Sequence, residues 1–332
     1  MTSYGGVFEF ICVPENMRLA MLRAARGKRD RLSVAAFLAN ADSELTCLRG
    51  DLQDGCYEPR PYTQFRVMDP KPRTISCASF RDRVVHHAMC GVIGPLIERR
   101  FITHCYACRV GKGTHKAVVD AQGFSRCFGY FLKLDIYRYF DSVDHEILLG
   151  LLRGMFREAR LIRLLEVIVC HPLPGQVPGR GLPIGNLTSQ WFANLYLDGA
   201  DHLVKDCWGI KGYLRYMDDA VLWSDSKARL WRALDELRDW LVVERRLKIK
   251  ERGTVIAPCC EGLTFVGMRI FPGCVRVRRE RLRRMRRLVR RREREFAGGV
   301  IDGEQLSASA RATCGVLGYF GLKGLVQSNT EI

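Results

Sequence analysis

No stretch of this 332-residue chain approaches the roughly 18 to 20 apolar residues needed to cross a bilayer. Met1 to Pro14 also lacks the charged segment and apolar core of a secretory leader. Membrane and exported proteins are therefore not expected, and the chain is expected to stay in the cytoplasm. Internal repeats at solenoid spacing and low-complexity linkers are absent too, which excludes solenoids and beads on flexible strings. Acidic residues are scarce beside basic ones, 36 against 53, and the resulting charge of +17 predicts a polyanionic partner, nucleic acid first. There are 14 cysteines, but no second Cys or His pair follows Cys105-Tyr106-Ala107-Cys108 at finger-like distance. Disulfide frameworks belong to short secreted chains, so these are read as free thiols and small buried apolar residues, with a zinc site as the alternative.

What is present orders itself along the chain. Glu15 to Leu52 has helical periodicity, with Leu19, Leu22, Leu32, Phe37 and Leu48 as apolar positions and a break at Gly27. Phe65 to Val67 and Thr74 to Ser76 read as short strands around the two-proline turn Asp69-Pro70-Lys71-Pro72. Arg81 to Glu98 reads as a helix, Gly129 to Ile136 as a buried strand around one Lys and one Asp, and His145 to Phe156 as a helix. Leu187 to Lys205 is expected to be one helix, with Leu187, Trp191 and Leu195 on one face and Gln190 and Asn194 on another. Tyr213 to Met217 and Ala220 to Trp223 suggest a hairpin with Asp218-Asp219 at its tip. Ala228 to Arg245 follows as a helix and Leu263 to Ile270 as a strand.

From Arg276 to Arg294 there are twelve arginines and two glutamates, which is +10 of the total +17. Leu282, Met285, Val289 and Phe296 recur at helical spacing, so one face packs while the others present guanidinium groups. A charge run is often only solvated surface. Like charges at this density repel unless an anion neutralises them, which points to a phosphate backbone.

Asp135 and Asp218 are 83 residues apart, so only the fold can assemble them with Asp219. Three carboxylates brought together repel one another, and a divalent cation is the natural neutraliser. An all-oxygen donor set favours Mg²⁺. Two such ions about 3.5 to 4 Å apart hold an attacking hydroxyl and a leaving phosphate in line, the geometry of nucleotidyl transfer.

Tyr216-Met217-Asp218-Asp219 between two apolar stretches resembles the signature of reverse transcriptases. The resemblance extends in order through Pro70-Lys71-Pro72-Arg73, Arg81-Asp82-Arg83-Val84-Val85, Tyr106-Ala107-Cys108-Arg109 with Gly111-Lys112-Gly113-Thr114-His115, and Leu134-Asp135-Ile136. It continues through Phe140-Asp141-Ser142, Gly181 to Gln190 and Phe265-Val266-Gly267. It implies an α+β fold, a right-hand polymerase with fingers, a palm built on a small antiparallel sheet with helices, and a short helical thumb. The implied division is 1–62 as an N-terminal helical extension, 63–272 as fingers and palm, and 273–332 as a basic thumb.

By the same resemblance, Asp135, Asp218 and Asp219 are the catalytic carboxylates, and with the Ile136 carbonyl they surround two Mg²⁺ ions. Lys71 and Arg73 grip the incoming triphosphate, Gln190 lines the deoxynucleotide site, and Phe140 stands where a ring excludes a 2′-hydroxyl; a core aromatic beside Tyr139 is the other reading of Phe140. Arg109, Phe265, Gly267, Arg283 and Arg287 are implied contacts of primer and template. Lys248 and Lys250 stand near the position of a basic residue beside the leaving pyrophosphate, or are simply solvated. His86-His87 reads as packing within an apolar helix.

Ile184-Gly185-Asn186-Leu187-Thr188-Ser189-Gln190 resembles the corresponding block of reverse transcriptases from diversity-generating retroelements, where other branches carry Gln first and Ser-Pro last. That resemblance implies bacterial or phage-encoded cDNA synthesis from a template-repeat RNA with frequent errors at adenines. The implied partners are the RNA, the RNA/cDNA duplex, deoxynucleotides and a small pentameric accessory variability protein. Ile184 is the implied fidelity residue, because it can neither donate nor accept a hydrogen bond near the templating pair; a β-branched gap filler is the alternative. The competing functions are a retron or phage-defence reverse transcriptase and a catalytically idle RNA-binding scaffold. The scaffold reading leaves the intact carboxylates without a purpose.

Overall fold

The computed structural model describes residues 4–68 and 72–319, so Lys71 lies outside the described residues. Four helices open the chain: α1 Phe8–Cys12, α2 Pro14–Ala25, α3 Leu32–Ala39 and α4 Ala41–Gln53. Then come the hairpin β1 Thr63–Val67 and β2 Arg73–Cys77, helices α5 Phe80–Glu98 and α6 Thr114–Cys127, and strand β3 Tyr130–Asp135. Helices α7 Tyr139–Ser142, α8 His145–Met155, α9 Ala159–Val169, α10 Leu187–Tyr196 and α11 Asp198–His202 follow. Strands β4 Gly212–Tyr216 and β5 Asp219–Ser224, helix α12 Lys227–Arg245 and strands β6 Val255–Pro258, β7 Leu263–Phe265, β8 Met268–Ile270 and β9 Val275–Val277 lead to α13 Arg279–Ala297 and α14 Gly303–Tyr319.

The chain divides into two units, each assembled from separated stretches. The first comprises Met1–Thr103, Asp135–Gly209 and Asp235–Glu251. Its hub is α5, which starts at Ser79 because the serine side chain accepts from the Asp82 amide. Asp82 is itself buried and accepts from Tyr57 Oη at 2.9 Å and the Arg60 amide at 3.0 Å, so its burial is matched by donors. Val84, Val85, Ala88, Met89 and Ile93 of α5 are buried, as are Met17, Ala20, Met21 and Ala24 of α2. Each such larger side chain contributes about 1.5–3 kcal/mol relative to exposure. Leu19 and Leu22, expected on the apolar face, are instead half exposed at 44% each; the methionine and alanine face of α2 is the buried one.

The second unit comprises His104–Leu134, Ile210–Leu234 and Arg252–Ile332. One sheet has the order β4-β5-β3-β6, with β4–β5 and β3–β6 antiparallel, and another runs β7-β8-β9. Phe131, Leu214, Val221 and Trp223 of the first sheet share a core with Leu263, Phe265, Met268 and Ile270 of the second and with Ala117, Val118 and Ala121 of α6. The indole of Trp223 donates to Ser125 Oγ at 3.1 Å, which satisfies its single polar atom.

Three further expectations change. The helix expected over Leu187 to Lys205 is interrupted after α10 and ends in a π-helical turn, Leu203–Cys207. The interruption coincides with Asp198, a buried carboxylate that accepts from Arg100 Nε at 3.0 Å, a long-range pairing that apolar periodicity does not encode. The strand expected over Leu263 to Ile270 is a hairpin, because Val266 and Gly267 take φ values of 41° and 82° and turn the chain. Of Cys105 and Cys108 only the first is buried; Cys108 is exposed.

Candidate active site

The β4–β5 register pairs Tyr216 with Asp219, leaving Met217-Asp218 as a two-residue turn. Two-residue hairpins match the strand twist when the first central residue has positive φ, normally a glycine. Here that residue is Met217, at φ 56°. A side-chain-bearing residue held in that region costs of order 1–3 kcal/mol and persists only where its surroundings fix it. Arg215, 2% exposed, donates from Nη1 to the Met217 carbonyl at 3.0 Å. The backbone of Arg215 is held as well: its amide donates to His104 O at 2.9 Å and its carbonyl accepts from the Tyr106 amide at 3.0 Å. On the next strand, Lys133 Nζ lies 3.0 Å from Asp219 Oδ1. Burial, and then the neighbouring Cys108 thiol, push the Tyr216 phenol up from its ordinary value.

The first unit holds Asp135 by a different device. The Asp135 carbonyl accepts from the Lys250 amide at 2.8 Å, and Lys250 Nζ reaches its carboxylate at 3.2 Å. Ile136 is buried and bridges Ile249, and the Tyr137 amide donates to Lys248 O at 2.8 Å. The segment 135–137 is thus fixed along 248–250.

Also within the first unit, backbone hydrogen bonds tie β2, which carries Arg73, to the loop of Ile184, and that loop to Phe140. Arg73 is exposed at the start of β2. Further along that strand, the Ser76 amide donates to Ile184 O at 3.0 Å, and just past its end the Ala78 amide donates to the Asn186 side-chain Oδ1 at 3.3 Å. Gly185 lies between them at φ 112°, and a Cβ there would sit 2.7 Å from Ile75 Cγ2, so only glycine allows this approach. From the same loop, the Leu182 amide donates to Phe140 O and the Gly181 amide to Val143 O, both at 2.8 Å. Phe140 is half-buried, edge-on to Tyr139 with centroids 5.7 Å apart. Gln190 is half-buried on α10, whose N-cap is Asn186.

The remaining expected contacts lie in the second unit. Phe265 is a core side chain, 1% exposed, so the β7–β8 turn can offer a primer its backbone but not the Phe265 ring. Arg281 of α13 donates to the Val266 carbonyl at 3.0 Å, and Leu282 and Met285 pack on the unit's core. Phe296 is half exposed, and of the expected apolar stripe only Leu282 and Met285 pack on that core. Arg283 and Arg287 are exposed on α13. Arg109 braces its own loop through a 2.9 Å bond to Cys105 O, and Gly113 is the N-cap of α6, so Thr114 and His115 open that helix. His86 is buried and burial lowers it to about 4, the behaviour of a neutral packing histidine.

Sequence reasoning missed Arg215 and Arg281, which read as charges in a strand and in a basic run. Lys133 carried a signal, a lone cation two residues before Asp135 in an apolar stretch and therefore on the same face of β3. The donors offered by Asp135, Asp218 and Asp219 are all oxygens, and two of these carboxylates already attract ammonium groups. That chemistry fits a hard divalent cation. Among the described residues no three His, Cys, Asp or Glu side chains form a ready-made cage. A hard divalent cation can do without one where one or two carboxylates are joined by water and substrate phosphates.

Helices flanking small sheets, with Asp218 in a two-residue hairpin turn and Asp219 opening the strand after it, define an α+β fold of the right-hand polymerase type. The family model described as reverse transcriptase (RNA-dependent DNA polymerase) matches residues 68–270, and the chain belongs to that family of RNA-directed DNA polymerases. Protein YkfC of Escherichia coli (strain K12) is 26% identical over 273 residues, covering 69% of this chain and 71% of YkfC. The group II intron-encoded protein LtrA of Lactococcus lactis subsp. cremoris is 25% identical over 163 residues, 46% of this chain and 27% of LtrA. Among solved structures, apo telomerase from Candida tropicalis truncated from its C-terminal domain is 11% identical with a TM-score of 0.47, covering 69% of this chain and 59% of the telomerase chain. Among the described residues no helix is long and apolar enough to cross a membrane.

Proposed function

We propose that this reverse transcriptase copies a template-repeat RNA into cDNA with errors concentrated at template adenines, as the polymerase of a diversity-generating retroelement. The observation that carries the reading is the Ile184-Gly185-Asn186 loop: its motif is the one that resembles that branch, and its backbone is bonded to β2, the strand that bears Arg73. Apolar Ile184 offers no hydrogen bond to a templating pair, and discrimination worth only a few kcal/mol is easily eroded.

In this reading Asp135 and Asp218 hold two Mg²⁺ ions with the Ile136 carbonyl nearby, and Asp219 supports them. The ions would supply activation of the primer 3′-hydroxyl and neutralise charge on the departing pyrophosphate. Arg73 and Lys71 orient the triphosphate through charge-assisted hydrogen bonds, Gln190 lines the same site, and Phe140 excludes the 2′-hydroxyl. Arg109, the Phe265–Gly267 turn, Arg283 and Arg287 follow primer and template. By role, 1–62 is a helical extension, 63–272 fingers and palm, and 273–332 thumb, with a pentameric accessory variability protein as the protein partner.

The test is Mg²⁺-dependent extension of a primer on a defined RNA, followed by sequencing of the cDNA. Misincorporation concentrated opposite adenine, and reduced several-fold by Ile184→Gln, is the expected outcome. A flat error spectrum that Ile184→Gln leaves unchanged removes the mutagenic reading and leaves an intron-type or retron-type enzyme. No extension at all with intact protein returns the idle RNA-binding scaffold.

A further inference from the structure

The direction in which Asp218 projects depends on the turn that carries it, and that turn is strained. Met217 at φ 56° stays in the left-handed region only because something holds it there. Two residues earlier on β4, Arg215 places Nη1 3.0 Å from the Met217 carbonyl. The arginine is fixed in turn. It is 2% exposed, and its own amide and carbonyl are bonded to His104 and Tyr106, which form a parallel bridge along β4 centred on Cys105. In the sheet order β4 is a terminal strand, so this short segment covers its free side at that one residue. The same segment runs directly into Arg109 and the Gly111–Gly113 loop.

Arginine is a costly side chain to bury, and a β-branched or aromatic residue would fill a strand position at lower cost. Its planar fork suits it for holding a carbonyl in one fixed direction. We propose that Arg215 is a positioning residue of the polymerase: by holding the Met217 carbonyl it sets the conformation of the Met217-Asp218 turn and so the aim of the Asp218 carboxylate. Arg215 acts through the turn and touches no substrate. The proposal rests on reading Asp218 as a metal-binding carboxylate.

The variants are Arg215→Lys, which keeps the charge but loses the fork, and Arg215→Met, which keeps bulk alone. Full-length protein is followed by thermal unfolding, by amide hydrogen exchange across residues 212–224, and by single-nucleotide primer extension on an RNA template. For Arg215→Lys the expected result has three parts. The melting temperature stays within a few degrees. Exchange at Met217 to Asp219 accelerates about tenfold or more while Tyr213–Leu214 and Val221–Trp223 keep their protection. The kcat falls about tenfold or more, with the deoxynucleotide KM within about threefold of wild type.

Even acceleration of exchange through the whole hairpin, with activity falling only in proportion to the folded fraction, makes Arg215 a core residue and overturns the proposal. Unchanged turn exchange with unchanged kcat overturns it equally. If Arg215→Met fails to fold, Arg215→Lys alone decides. Wild-type protein that protects the turn through Arg215 yet extends no primer would keep the clamp and reject the catalytic reading, so the two failures are distinguishable.

Discussion

The β4–β5 and β7–β8 hairpins both close through two residues, Met217-Asp218 and Val266-Gly267, and each keeps a side-chain-bearing residue at positive φ, 56° for Met217 and 41° for Val266, with Gly267 at positive φ as well. In each, an arginine Nη1 donates to that residue's carbonyl at 3.0 Å. They differ in where the arginine originates and in which residue comes after the strained one. Arg215 belongs to its own hairpin and is buried; Arg281 arrives from α13 and is half-buried, its guanidinium lowered from its ordinary value by burial first and then by Arg284. After Met217 comes a carboxylate. After Val266 comes Gly267, where a Cβ would lie 2.8 Å from Arg281 Nη1. One turn is built to present a side chain, and the other leaves its side-chain space to a helix that packs against it.

The sharpest way to break the comparison is to make the first turn like the second. Asp218→Gly should keep the hairpin, since glycine is at ease in tight turns, and should cost about 10³-fold or more in primer extension because a charge-stabilising group is lost from the reaction centre. Thermal unfolding within a few degrees of wild type, measured beside the extension rate, is the expected pairing. Activity that survives would mean the two turns do the same job.

Removing the second arginine should do something else. Arg281→Met frees α13 from the Val266 carbonyl, and loss of one charge-assisted hydrogen bond predicts about tenfold weaker binding of an RNA/DNA duplex, with a smaller change in the single-nucleotide rate. Fluorescence anisotropy at fixed salt reads the first, and a rate loss as large as that of Asp218→Gly would erase the distinction between turns. The smallest effect is expected from the exposed arginines of the same helix. Arg283→Gln with Arg287→Gln should reduce the slope of log K against log salt by about 1 to 2 while leaving melting unchanged. An unaltered slope would remove these two side chains from the duplex contacts.

Much of the architecture was legible because local pattern and tertiary role coincide there. The apolar stretches on both sides of Asp218-Asp219 encode β4 and β5, and the run around Lys133 and Asp135 encodes β3. The basic stripe anticipated α13. What escaped lies where the decisive interaction is distant or is made by backbone. Leu263 to Ile270 has the composition of one strand, and only the positive φ values at Val266 and Gly267 divide it. Apolar spacing could not show which face of α2 would be buried, since leucines, methionines and alanines all satisfy it. Nothing near Arg215 in sequence announces a carbonyl two residues on, and nothing near Gly185 announces Ile75. Of the candidate site, Lys250 beside Asp135 was named from the sequence and Lys133 left a signal in β3; the arginines bracing the two turns were not legible.

The order in which the second unit's core comes together carries a consequence for biosynthesis. Phe131 belongs to its first stretch of chain, Leu214, Val221 and Trp223 to its second, and Leu263, Phe265, Met268 and Ile270 to its third. A ribosome adding roughly 5–20 residues per second delivers the third stretch seconds after the hairpin has emerged. During that interval an apolar hairpin waits without the sheet that will cover it, so the nascent chain is a natural client for holdase chaperones. A transcript truncated before β7 should therefore yield aggregate rather than a smaller working enzyme.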